Sequence, residues 1–401
     1  MTSTSSPEPT KPSQQSLDAL AWAEEQMTLL TGLRGDERGA LAGQRIVMRG
    51  HITKESAVQV RTLRALGAEI AWCASSPVTT DPDIVAVMTC EGVHIPPDAP
   101  GEGRAGEQAI QDVLDHFGRG PTLLLDEGGD LLLAAHADDR ELPDILGAVE
   151  KTGSGMVRLK QRFGADGTKF PVLAVDTSYL KHVVDNSGGA PQSVVECIMR
   201  ASGTLLAGRT FVVAGFGGVG SGIARRAAGL GCRVIVTEVR PTVALRALVE
   251  GFEVMRLADA LQVADVVCTA TGEQAVTAAH LPHMRSEIML ANAGHFADEL
   301  PVAALREAAV EVKEVRSGRT RYLLPDGRVI TVLGNGDMIN LAVGEGNPSE
   351  VMDVTFATQI AALRYLLSET GPREPGVFSL PVDYEEELAQ RKLDLMGLAV
   401  G

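Results

Sequence analysis

The run VVAGFGGVGSG carries the densest chemical signal in the chain: Gly215, Gly217 and Gly220 form a G-x-G-x-x-G spacing directly after an apolar run and at the mouth of a helical pattern. Gly215 permits a tight turn, Gly217 lets backbone approach a pyrophosphate, Gly220 allows a helix to pack closely on its strand, and the helix N-terminus favours phosphate charge. Glu238 strengthens the reading, because it ends RVIVTE 23 positions after Gly215, where a carboxylate accepts both ribose hydroxyls. NAD is therefore expected over NADP, although Arg240 stands near enough in sequence to hold a 2′-phosphate. The bland alternative is a glycine-rich turn with a solvated Glu.

A second candidate is Lys181 with Asp185. At spacing four on a helix the two share a face, so the carboxylate can orient the amine and tune its proton affinity. An isolated pair of this kind on a surface contributes only about 0.3–0.5 kcal/mol, which is the structural alternative. His94, His116, His136, His182, His280 and His283 show no mutual metal-ligand spacing, and Cys73, Cys90, Cys197, Cys232 and Cys268 contain no CxxC. No metal site and no disulfide scaffold are expected.

These residues belong to a chain of 401 with 36 Lys+Arg against 52 Asp+Glu, a net charge of −16 and a pI near 5.0. Nonspecific nucleic-acid binding needs clustered cations and is excluded as an expectation. With 45% apolar and 22% charged residues, the length suits two or three globular domains. Aromatics at 4% and 43 glycines favour parallel α/β packing with tight βα turns over an all-β shell. The first residues, MTSTSSPEPTKPSQQS, lack a basic region followed by an apolar run, and no stretch is long and apolar enough to span a bilayer. A soluble cytoplasmic protein with no membrane partner is the expectation.

Residues 1–15, rich in Ser, Thr, Pro and Gln, are expected to be disordered. RIVMRG, AEIAWCA, IVAVMT and PTLLLDEGGD then read as strands and ESAVQVRTLRALG and GEQAIQDVLDHFG as helices, a βαβ rhythm. The predicted organisation is a substrate-binding domain over 16–190, a Rossmann-type dinucleotide domain over 191–344, and a segment from 345 to 401 that returns to the first domain. The fold class is α/β, with the NAD domain inserted in a discontinuous α/β substrate domain.

DEGGD (Asp126–Asp130), KFPVLAVDTSYLKHVVDN (Lys169–Asn186), GFGGVGSG, VIVTEVRPTVALRALVEGFEV, NAGHFADE and NLAVGEGNPSEVM resemble, in order and spacing, the S-adenosylhomocysteine hydrolase family from about residue 45 to 385. The resemblance implies bound NAD that oxidises a sugar hydroxyl, loss of the acidified proton on the adjacent carbon, and departure of the 5′ substituent. Carried over residue by residue, it makes His51, Glu127, Lys181, Asp185 and His295 catalytic and places Thr53 and Glu55 at the adenine. It also puts Thr152, Ser154, Asn186, Asn292 and Asn340 with Gly215, Gly217, Gly220 and Glu238 at the cofactor. It further implies a homo-oligomer, tetramer or dimer.

Departures from the family pattern concentrate at the sugar. Glu127 stands where a second Asp is expected, Lys151 replaces a ribose-facing Glu, and Asp176 replaces an Asn. Asn347 replaces the His of the purine-facing loop, Ala190 replaces a Cys, and a threonine run becomes Thr152, Gly153 and Ser154. The opposite signs of the changes suggest Asp176 as the partner of Lys151. The sequence ends at MGLAVG, without the Lys/Tyr-bearing tail that in the family reaches a neighbouring subunit's NAD, so easier cofactor exchange is expected. The favoured reading is a nucleoside dehydratase that stops at the alkene, resembling nucleoside-antibiotic pathway members of the family such as the angustmycin dehydratase. Hydrolysis of S-adenosylhomocysteine and an inactive NAD-binding regulator are the alternatives.

Overall fold

The computed structural model describes residues 12–97, 104–164 and 167–399. Two compact units divide the chain: one runs up to Lys181 and resumes at Met352, and the other is His182–Val351.

The first unit is built on β1 (Arg45–Gly50), β2 (Glu69–Ala74), β3 (Leu123–Asp126), β4 (Gly147–Glu150) and β5 (Pro171–Ala174), parallel and in the order β2-β1-β3-β4-β5. Alternate residues cover both faces. Ile46, Met48, Leu123 and Leu125 fill one apolar layer and Val47, Leu124 and Ala148 the other. Strands buried on both faces read as unbroken apolar runs rather than alternating ones.

The expected strand IVAVMT is a helix, Pro82–Cys90. Asp81 accepts hydrogen bonds from the amides of Asp83 at 2.8 Å and Ile84 at 3.4 Å, and Pro82 occupies the first turn, so the local start signal is helical. A short apolar run carries no periodicity of its own that separates the two outcomes. Order also begins earlier than expected. Ser13 Oγ accepts from the Ser16 amide at 3.2 Å and caps a helix over Gln14–Gln26. The first eleven residues of the predicted disordered stretch lie outside the described residues.

The second unit carries β6 (Thr210–Ala214), β7 (Arg233–Thr237), β8 (Glu253–Val254), β9 (Val266–Thr269), β10 (Ile288–Asn292), β11 (Glu311–Arg316), β12 (Arg319–Leu323) and β13 (Val329–Leu333), in the order β11-β12-β13-β10-β9-β6-β7-β8. From β6 the chain builds outward through β7 and β8, then returns to β9 on the other side. β6 is thus the switch point, where open α/β sheets bind ligands at the carboxyl ends of their strands. Two antiparallel pairings, β11 with β12 and β12 with β13, extend this otherwise parallel sheet.

The chain returns to the first unit as β14 (Gly376–Phe378), which pairs in parallel with β5. Buried Asp353 fastens the returning segment: it accepts from the amides of Leu29 and Leu30 at 3.0 and 2.9 Å and meets Lys392 Nζ at 2.7 Å. The unit borders fall at 181/182 and 351/352, outside the expected 190/191 and 344/345. Local packing explains the difference. A Cβ on Gly222 would lie 2.4 Å from Pro191 and 2.8 Å from the Ser187 carbonyl, and one on Gly189 would lie 2.5 Å from Val351, so both flanks pack within the dinucleotide unit.

Candidate active site

In the first unit the chemistry-bearing residues follow the carboxyl ends of the strands. His51 follows β1, Glu127 follows β3, Lys151 follows β4 and Asp176 follows β5. Glu127 is the centre: its Oε1 lies 3.2 Å from His51 Nε2 and 2.5 Å from Lys151 Nζ. Burial alone would raise the Glu127 carboxyl, but the charges of His51 and Lys151 outweigh it and hold the group well below the usual carboxylate range. An ionised Glu127 accepts from Nε2–H. His51 Nδ1 then faces the hydroxyls of Thr79 at 2.6 Å and Ser75 at 2.9 Å, two partners that sequence reasoning missed. Lys151 Nζ also stands 5.5 Å from the centroid of the Phe356 ring.

The partner of Lys151 is therefore Glu127 and not Asp176. Asp176 lies beside Gly153, where a Cβ would come within 3.2 Å of its Oδ2, and its buried Oδ1 has no hydrogen-bond partner among the described residues. Burial pushes the Asp176 carboxyl up, against the opposing charges of Lys181 and Lys160. Thr53 caps the helix Lys54–Ala65, accepting from the Ser56 amide at 3.4 Å, and Glu55 in the first turn is buried with Lys54 Nζ at 3.1 Å.

Beneath Glu127 and Lys151 lie two further acids that the sequence reading did not single out. Asp126 and Glu150 end β3 and β4 in register and are buried. Glu150 Oε1 accepts from the amides of Thr152 at 2.8 Å and Gly128 at 3.1 Å and from Thr152 Oγ1 at 2.6 Å, binding the two loops together. Burial and neighbouring Asp126 push Glu150 well above the carboxylate range, and burial pushes Asp126 up to about 6. Thr152 and Ser154, expected at the cofactor, serve the fold here. Thr152 Oγ1 accepts from the Gly155 amide at 3.0 Å as the cap of helix Gly153–Phe163, and Ser154 Oγ donates to it at 3.2 Å. The available signal was an acid closing a fully apolar run, as in LLLD and GAVE.

Lys181 closes the short helix Tyr179–Lys181. The chain then widens into a π-helix, His182–Gly189, that carries Asp185 and Asn186 and leads into helix Ala190–Ser202. Such wide turns recur at functional sites because they re-aim side chains.

In the second unit the glycine turn joins β6 to helix Gly218–Gly229. Gly215 has φ +95°, and a Cβ there would sit 2.7 Å from the Ala270 carbonyl; a Cβ on Gly220 would sit 2.0 Å from the Gly215 carbonyl. A Cβ on Gly217 would meet nothing within 4 Å, so that position opens outward, as approach to a phosphate requires. Glu238 follows β7 and accepts from the amides of Phe216, Val239 and Arg240 at 3.1, 2.8 and 3.0 Å.

Asn340 Nδ2 donates to Ser193 Oγ at 3.1 Å and Asn347 Oδ1 at 3.2 Å, and Asn347 Nδ2 donates to Asp185 Oδ1 at 2.8 Å. Asn340 Oδ1 is buried and among the described residues has no donor, an acceptor suited to a carboxamide N–H. Asn292 is different. Its Oδ1 accepts from Thr269 Oγ1 at 3.1 Å and the Gly294 amide at 2.7 Å, and its Nδ2 donates to the carbonyls of Phe296 and Gly336 at 2.8 and 3.0 Å. All its hydrogen-bonding capacity is used, so Asn292 holds loops rather than cofactor. His295 lies in the loop after β10, half-buried, with its ring edge-on to Phe296 at 5.0 Å. Buried Glu299, also missed, ties that loop to the amides of Thr271 and Gly272 at 3.0 and 2.7 Å. No group of three or more His, Cys, Asp or Glu suited to a metal ion occurs among the described residues.

Residues 186–346 match the model of the S-adenosyl-L-homocysteine hydrolase NAD binding domain, and residues 14–144 that of S-adenosyl-L-homocysteine hydrolase. Over 387 residues, 95% of this chain and 92% of the relative, it is 38% identical to an adenosylhomocysteinase of Saccharolobus solfataricus. The chain belongs to the S-adenosyl-L-homocysteine hydrolase family. It is similarly close to S-inosyl-L-homocysteine hydrolases of Methanopyrus kandleri, 37% identical over 95% of this chain and 90% of that one, and Methanocaldococcus jannaschii, 38% over 95% and 92%. As a member of this hydrolase family it is an NAD-dependent enzyme with a nucleoside substrate. The open position at Gly217, the Glu238 carboxylate and the unmatched Asn340 Oδ1 fit the phosphate, ribose and carboxamide of that cofactor.

Proposed function

We propose that this enzyme acts on an adenine nucleoside by transient oxidation of a sugar hydroxyl, proton abstraction at the adjacent carbon and elimination of the terminal substituent as water. The observation that carries the reading is the convergence of Lys151 Nζ and His51 Nε2 on one oxygen of Glu127, at 2.5 and 3.2 Å. NAD, which the turn at Gly217 with Glu238 and Asn340 would hold, would supply the hydride chemistry at the sugar carbon.

The chain's own residues handle protons and geometry. Lys181 and Asp185 take the hydroxyl proton as the sugar is oxidised and the proton of the acidified neighbouring carbon. His51 and Lys151 meet the leaving group. A thiol of cysteine type leaves as an anion whose conjugate acid has a pKa of about 8.5, whereas that of hydroxide is about 15.7. Elimination of water therefore demands a proton in the transition state where elimination of a thiolate demands much less. A second buried donor, held beside the histidine by an ionised Glu127, supports the more demanding leaving group. The products are the alkene and water, with no net change of oxidation level at the sugar.

Glu55 supports adenine as the base. Its carboxylate accepts from an exocyclic amine, whereas the carbonyl of an inosine-type base at that edge offers an acceptor to an acceptor. Ordinary hydrolysis of S-adenosylhomocysteine is the second reading, supported by the identity to adenosylhomocysteinases and by the pairing of His51 with a carboxylate, Glu127. Incubating the protein with a panel of adenine nucleosides and following loss of water by mass spectrometry tests the proposal. A dehydrated nucleoside is expected. Prompt release of homocysteine from S-adenosylhomocysteine, trapped with a thiol reagent, with no dehydrated product from any nucleoside, would overturn it.

A further inference from the structure

We propose that His182 is a cofactor ligand on the phosphate side of the dinucleotide, donating a hydrogen bond from its imidazole to the pyrophosphate at the glycine turn. His182 opens the π-helix His182–Gly189, and its side chain is exposed. A Cβ on Gly218 would lie 2.8 Å from His182 Cε1, 3.2 Å from His182 Nδ1 and 3.0 Å from Asn186 Cβ. His182 and Asn186, four residues apart, therefore bear on the same point, and that point is the first residue of helix Gly218–Gly229. The family model of the NAD domain begins at residue 186, so His182 lies outside the matched region.

The turn itself offers only backbone donors. GFGGVGSG carries no charged side chain, and the helix start has no side-chain cap. The arginines that reach these loops are committed elsewhere. Arg226 donates to the carbonyls of Ser187 and Gly188, at 3.2 and 2.8 Å. Arg246 donates to the Phe216 carbonyl and stands 4.9 Å over the Phe216 ring. Glu238 adds a negative charge by the Phe216 amide. An imidazole lying over the side-chain-free position 218 supplies an N–H to an anionic oxygen in either of its protonation states, next to a helix N-terminus that already favours phosphate.

The inference rests on NAD as the cofactor and is independent of which group the enzyme eliminates. Calorimetric titration of protein freed of nucleotide tests it, using NAD, ADP-ribose and AMP as ligands and wild type against His182→Ala and His182→Gln. Loss of a hydrogen bond to a charged acceptor predicts dissociation constants for NAD and ADP-ribose about tenfold weaker in H182A, with partial recovery in H182Q, whose amide also donates. AMP, which lacks the pyrophosphate, is expected to bind wild type and H182A alike. Unchanged affinity for NAD and ADP-ribose in H182A would overturn the assignment, as would an equal loss for all three ligands, which would mark a general disturbance of the turn. Melting temperature, unchanged for an exposed side chain, confirms that the variants are folded.

Discussion

The dinucleotide unit makes its site largely from backbone, with three glycines shaping a turn at a helix N-terminus and one carboxylate pulled against three amides. The other unit makes its site from ionisable side chains at the ends of β1, β3 and β4, with Glu127 bracketed by His51 and Lys151 above a buried layer of Asp126 and Glu150. A backbone site is dictated by which residues lack a Cβ, and that is written in the sequence at fixed spacing. A charge network is dictated by which neighbours face each other across strands, which depends on register and on strands too short to announce themselves.

This contrast can be broken by substitution. Lys181→Met should lower turnover about a thousandfold through loss of proton transfer, leaving NAD affinity within about twofold, as single-turnover kinetics and cofactor titration would show. A parallel loss of cofactor would mean that Lys181 serves the dinucleotide site instead. Lys151→Met removes one partner of a buried pair and should destabilise the protein by about 3 kcal/mol, read from denaturant unfolding. A stable variant would show that Glu127 is satisfied without it.

The acids beneath and above that pair should respond to pH in opposite directions. Glu127 is held below its ordinary value, so its contribution to stability is present above about pH 4.5 and is lost as pH falls towards its folded pKa. Glu150 is raised, so its ionisation costs stability as pH climbs from 4.5 towards its folded pKa, with Asp126 adding a step of the same sign up to about 6. Glu150→Gln should therefore gain on wild type by up to about 1.4 kcal/mol per pH unit through that window. A difference independent of pH would show Glu150 to be unperturbed.

The smallest effect separates two asparagines within the dinucleotide unit. Asn340→Ala should cost about 1 kcal/mol of NAD affinity, roughly fivefold, with a smaller fall in melting temperature than Asn292→Ala, because it loses two hydrogen bonds to protein groups rather than four. Asn292→Ala should lower the melting temperature, because four hydrogen bonds to protein groups are lost, without a selective effect on nicotinamide. Reversal of these two outcomes would exchange their roles.

Much of this was legible in the sequence, and unevenly. Gly215, Gly217, Gly220 and Glu238 stand where their spacing placed them, because each answers a local demand of the turn. The four-residue strands β4 and β5 gave too few positions for a period, so the buried position of Glu150 and the pairing of Lys151 stayed hidden. Charge signs alone suggested Asp176 for Lys151; register across β3 and β4 puts Glu127 there instead. The family resemblance put Asn292 at the cofactor, yet the loop itself consumes the amide. IVAVMT turned helical on the strength of one capping aspartate.

The most direct test is exchange with heavy water. In deuterated buffer with NAD bound, the unreacted adenine nucleoside recovered from the enzyme should carry deuterium at the sugar carbon next to the oxidised one, and Lys181→Met should suppress the exchange. Absence of deuterium in every adenine nucleoside offered, by a protein shown to hold NAD, would contradict the oxidation and proton abstraction on which the account stands.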